Sequence, residues 1–151
     1  MRAVFITTCL LGYLCILGCA TIPPRPQTPI TLPISFEKIW FRPTIAKPGI
    51  QVMTDTGTVV VSTNGVTFTG EKGSVDIDYT TMQEVSFGKV GSDFINSWVT
   101  IKYHRGSVES YALFCGGKAL GWGGSGDAAE IFQALESALQ EKGLSSIVQR
   151  K

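Results

Sequence analysis

The sequence predicts a mainly β domain of six to seven antiparallel strands, closed by one C-terminal amphipathic α-helix. Three observations carry this. Between residues 57 and 115, short β-branched and aromatic runs alternate with turn signals. Glycine is abundant at 17 residues, and valine and threonine are frequent, a mix that favours strands and tight turns. Helical spacing of apolar residues appears late, from Asp127 onward.

The elements follow in order. "SFEKIWF" (35–41) is apolar and aromatic before Pro43 and Pro48 interrupt. "GTVVVS" (57–62) is β-branched, and "TNG" (63–65) predicts a hairpin turn, because Asn-Gly accepts positive φ. "VTFTG" (66–70) alternates Val66 and Phe68, and "EKG" (71–73) turns again. "SVDIDY" (74–79) sets Val75, Ile77 and Tyr79 on one face and Asp76 and Asp78 on the other. "MQEVSFGKV" (82–90) is a weaker strand. "SWVTIKYH" (97–104) aligns Val99, Ile101 and Tyr103, "RGS" turns, and "VESYALFC" (108–115) returns. In the last segment Asp127 and Glu130 fit a capping box. Ile131, Phe132, Leu135, Ala138 and Leu139 form one stripe, and Gly143 is a natural stop.

The chain has 151 residues, enough for one domain. Its 17% charged residues fall below the ~25% of an average soluble protein, and its net charge is +1 without a block of one sign. That distribution excludes the concentrated basic stripe of a nucleic-acid surface.

The N-terminus reads as an address. Arg2 and the amino terminus form a positive start, Ala3 to Leu17 are an apolar run, and Gly18 is a small residue before a cut. The run is short for a membrane span, which takes about 20 residues. Ile16-Leu17-Gly18-Cys19 resembles the bacterial lipobox. The resemblance implies lipid attachment (palmitate among the acyl chains) at Cys19, cleavage after Gly18, and a membrane partner reached through those chains. Several chains anchor stably where one is marginal. Ala20 after the cysteine points to the outer membrane, with the domain facing the periplasm of a bacterial envelope.

Residues 21–33 then hold Pro23, Pro24, Pro26, Pro29 and Pro33 of the 7 prolines, a composition that favours an extended spacer. The expected organisation is a signal peptide at 1–18, a lipidated N-terminus and Pro-rich tether at 19–34, the β domain with its helix at 35–143, and a fraying tail at 144–151.

The strand succession, the Met82-x-x-Val85 step, the Trp98-led strand and the helix directly after the last strand together resemble the pleckstrin-homology-like superfold, including GRAM-like domains. The resemblance implies a bent barrel or sandwich with the helix plugging its open end. Eukaryotic members that bind inositol phosphates use basic residues in the first hairpin, and "VVVSTNGVTF" has none.

Chemistry-bearing motifs are sparse. Gly121, Gly123 and Gly126 in "GWGGSG" match G-x-G-x-x-G, but no βαβ unit or following acid-tipped strand accompanies them. "GGKALG" lacks the spacing of a phosphate-binding loop. His104 is the lone histidine, no G-x-S-x-G occurs, and no ligand spacing for a metal is present. Cys115 in an apolar run behaves as a small hydrophobe. The sequence therefore predicts no catalytic residue, cofactor, metal or nucleic-acid partner. It predicts a non-catalytic module for a protein or peptide partner, with the strand edge beside the helix open to β-augmentation. Trp122, in the glycine-rich loop, is either an interaction anchor or folds back on the core. The alternative function is binding a small apolar or lipidic ligand at the open end of the barrel, using Trp40, Phe41, Phe94, Trp98 and Phe114.

Overall fold

The computed structural model describes residues 30–46, 53–117 and 123–150, with 123–125 described in backbone alone. The chain is mainly β with a single C-terminal helix. The strands are β1 (Ile34–Arg42), β2 (Asp55–Val61), β3 (Gly65–Gly70), β4 (Ser74–Asp78), β5 (Met82–Val90), β6 (Asp93–Arg105), β7 (Val108–Gly117), β8 (Gly123–Gly124) and β9 (Val148–Arg150); the helix is α1 (Ser125–Glu141). They form one sheet in the order β4-β3-β2-β1-β7-β6-β5-β9, with β8 on β7. The path does not close on itself into a barrel. The pairs among β1 to β7 are antiparallel, whereas β9 joins β5 in parallel.

The sheet is strongly bent. Phe41 on β1 and Phe68 on β3 stack at 4.5 Å between ring centroids, although β2 lies between their strands. A flat sheet would hold such residues about 10 Å apart. Phe114 on β7 completes the trio at 5.8 and 6.1 Å. β1 is the strand shared by the two halves. It pairs with β2 on one side and β7 on the other, and its β2 register shifts between Phe36 and Ile39. Lys38 sits in that bulge at φ 57, and a bulge bends its strand and sharpens its twist.

The alternation read from the sequence is the one that packs. Val66, Phe68, Ile77, Tyr79, Val99, Ile101 and Tyr103 are all buried. The helical stripe Ile131, Phe132, Leu135, Ala138 and Leu139 closes over them, with Phe87 and Phe132 rings 5.7 Å apart. Each such side chain contributes roughly 1.5–3 kcal/mol by leaving water. The helix stops as expected: Gly143 adopts φ 72, and the Leu144 N–H returns to the Leu139 carbonyl at 2.8 Å.

Four details differ from expectation. Helix α1 begins at Ser125, so Asp127 lies inside its first turn rather than capping it. Asn64 and Gly65 do not take positive φ; the Ser62 hydroxyl instead accepts the N–H groups of Asn64 and Gly65. Gly65 is needed for space, since a Cβ there would meet the Ile77 carbonyl oxygen at 2.2 Å. The described tail residues, 144–150, form regular structure rather than a frayed end. Ser145–Ile147 form a short 3-10 turn and β9 follows, held because Arg150 pairs with Glu136 of α1 and lies over the Phe132 ring. Finally, Ile30 and Leu32 pack against the core, so the end of the expected tether is docked on the domain.

Candidate functional site

The tip of the β5–β6 hairpin, meaning the turn at 91–92 and the first residues of β6, is braced by Asp93. Its carboxylate accepts the backbone N–H of Ile95 (3.3 Å) and Asn96 (3.0 Å), the Asn96 side-chain amide (3.0 and 3.2 Å), and the Trp98 indole N–H (2.8 Å). Asp93, Asn96 and Trp98 are buried. Burial alone would push the Asp93 carboxyl up. The bonds from Asn96, Trp98 and Ile95 outweigh it and hold the group below the ordinary carboxylate value. Lys89 closes the other side, donating Nζ–H to the Ile95 carbonyl at 2.7 Å. The consequence is an irregular, hydrogen-bonded start of β6, at the register shift against β5, that points two neighbouring apolar side chains outward: Phe94 is 79% exposed and Ile95 62%. Ile45, from the segment after β1, is also exposed.

Beneath the turn, the outer face of the sheet carries a second apolar cluster of Trp40, Trp98, Leu113 and Cys115, flanked by Met53, Val90 and Tyr111. Arg42 lies over the Trp98 ring at 4.6 Å. The cluster borders a groove of about 540 Å³ along β5 and β6, within the size range of small-ligand sites. Ser86, Gly88, Val90, Thr100, Lys102 and Tyr111 line it. Lys102 pairs with Glu109 at 2.8 Å, and Glu109 also accepts the Tyr111 hydroxyl.

The sequence-predicted residues are distributed otherwise. Cys19 and Trp122 lie outside the described residues, as does the Lys118 to Trp122 part of the glycine-rich loop. The five aromatics assigned to one pocket divide: Phe41 and Phe114 fill the interior, Trp40 and Trp98 the outer cluster, and Phe94 faces solvent. The β5 edge beside the helix, expected to accept a peptide, already carries β9. A recess there, about 280 Å³, is lined by Glu136, Gln140, Ser145, Val148 and Arg150. His104 is exposed, its Nε2 2.7 Å from the Gln83 amide nitrogen. Cys115 is fully buried, and burial pushes its thiol up to about 12, so it stays protonated at neutral pH.

Among the described residues no group of His, Cys, Asp and Glu is placed to hold a metal ion. No described helix is long and apolar enough to cross a membrane. Neither Arg42 nor Asp93 stands out in the sequence. The available signals are "GSDF", an Asp suited to bonding the backbone ahead of it, and an arginine ending the apolar run "IWFR". No protein-family model matches the chain, and no curated protein matches it.

Proposed function

We propose that this is a lipid-anchored bacterial envelope protein whose β domain is a non-catalytic module for a protein partner. The observation that carries the reading is the β5–β6 turn. A buried carboxylate with five hydrogen-bond contacts holds Phe94 and Ile95 in water, where a flexible turn would let them fold back. Exposed aromatics on a preorganised element are the usual anchors of protein interfaces, because little conformational entropy is lost on docking. Peptide capture at the β5 edge gives way to this turn, since β9 occupies that edge.

Anchoring through acyl chains on Cys19, and an outer-membrane position facing the periplasm, rest on Ile16-Leu17-Gly18-Cys19 and Ala20. The pleckstrin-homology-like assignment is supported by seven long antiparallel strands leading to a helix whose apolar stripe packs into the bent sheet. The test is stoichiometric co-purification from envelope extracts with wild-type protein and an F94S/I95S variant. Both residues are exposed, so the variant keeps its stability. A partner recovered with the wild type and lost with the variant supports the reading; equal recovery, or none, refutes it. For the anchor, C19A must abolish acyl labelling and release the protein from membranes.

A further inference from the structure

Arg42 is fully buried at the end of β1. One Nη2 N–H reaches the Ile45 carbonyl at 3.4 Å, a long and weak bond. Nε and Nη1, which carry three N–H groups between them, meet no hydrogen-bond partner among the described residues. Nor does a described carboxylate form an ion pair with the guanidinium. Asp93 acts on it through its field, but the Asp93 oxygens are committed to Ile95, Asn96 and Trp98. A buried cation with unmet donors is costly, and folded proteins rarely keep one without a use for it.

Arg42 does not itself line the outer groove, but the sheet register puts it on the same rung as residues that do. Arg42 pairs with Leu113, Leu113 with Thr100, and Thr100 with Ser86. Residues on one such rung share a face of the sheet, and Thr100 and Ser86 line the groove. Ile45, whose carbonyl takes the single Arg42 bond, lines it too. Lys89, Lys102 and Glu84 line it as well, with Lys102 paired to Glu109 and Lys89 bonded to the Ile95 carbonyl. The groove, at about 540 Å³, has room for an organic body as well as a charged group.

We propose that this outer face binds a small molecule bearing an oxyanion, a carboxylate or a phosphate, that displaces the Ile45 carbonyl and takes the Arg42 guanidinium while its body lies in the groove. With the Ile45 carbonyl displaced, Nη2 together with either Nε or Nη1 makes the two-pronged contact that both anions accept. Trp98, braced by Asp93, forms the floor under the guanidinium. This site does not depend on the Phe94–Ile95 turn binding a protein, and F94S/I95S is expected to leave it intact.

The test titrates the full chain with inorganic phosphate, acetate, phenyl phosphate and benzoate, each against sodium chloride at equal ionic strength. The readouts are the nitrogen-bound proton signals of the Arg42 Nε–H and the Trp98 indole. Saturable movement of both signals is expected, with the aromatic-bodied anion tighter than the bare one; the better of the phosphate and carboxylate arms identifies the ligand's charged group. R42K weakens binding at least tenfold, because a lysine cannot make the forked contact, and R42M removes it. The wild-type titration decides the matter even if a variant fails to fold. Signals indifferent to all four anions, or an R42K variant that folds and binds unchanged, overturn the proposal.

Discussion

Replacing Asp93 by alanine is the sharpest probe of how the exposed turn is held. The carboxylate serves the backbone N–H groups of Ile95 and Asn96, the Asn96 amide and the Trp98 indole. Ile95 is exposed, so its N–H recovers a bond to water. The Asn96 N–H and the Trp98 indole N–H belong to residues 1% and 0% exposed, and they lose an acceptor where water does not reach. Each such loss costs ~1–3 kcal/mol, so D93A is expected to destabilise by about 3–5 kcal/mol. D93N keeps an acceptor for the Asn96 N–H but turns a donor toward the indole, and about half that loss follows. Urea unfolding of the full chain measures both. A D93A loss within ~0.5 kcal/mol of zero would refute the brace. The pH dependence has a fixed sign. The folded pKa of Asp93 is depressed, so its contribution is complete above the unfolded value of ~3.9 and is lost as pH falls through the lower folded value. Wild-type stability therefore declines in acid below about pH 4, and D93N flattens that decline.

Three further outcomes are expected. K38G stabilises the domain by ~0.5–1 kcal/mol in thermal unfolding, since Lys38 holds φ 57 and glycine adopts that conformation freely; a destabilised variant contradicts the bulge geometry. R150M costs about 1–3 kcal/mol because it removes the charged hydrogen bonds that Arg150, 22% exposed in its side chain, makes to the buried Glu136 carboxylate, and E136M/R150M recovers part of it in a double-mutant cycle. Cys115, with its thiol raised to about 12 and no exposure, resists maleimide at neutral pH until the chain unfolds; rapid native-state labelling contradicts the packing of the outer cluster.

The fold was legible where local pattern and tertiary burial agree. The two-residue alternation of Val99, Ile101 and Tyr103 and the helical stripe from Ile131 to Leu139 name their buried faces without outside help. What stayed hidden depends on distant partners. "IVQR" shows no period of its own and becomes β9 because the β5 edge and Glu136 await it. Gly65 reads as a turn residue, yet the passing Ile77 carbonyl is what demands a glycine. Arg42 looks like the polar end of a strand; its burial follows from stacking on Trp98, more than fifty positions later in the chain. Phe94 reads as one of the aromatics of a ligand pocket, because sequence alternation cannot show that the Asp93-braced segment faces it to solvent.

In-cell photocrosslinking from the β5–β6 turn tests the central claim most directly. A photoreactive residue is placed at Phe94 or Ile95, with exposed Gln83, toward the opposite end of the same hairpin, as the control. The account predicts a discrete protein adduct from positions 94 and 95, absent from 83 and lost when C19A removes the anchor. No adduct at the turn, or the same adducts from position 83, would contradict it.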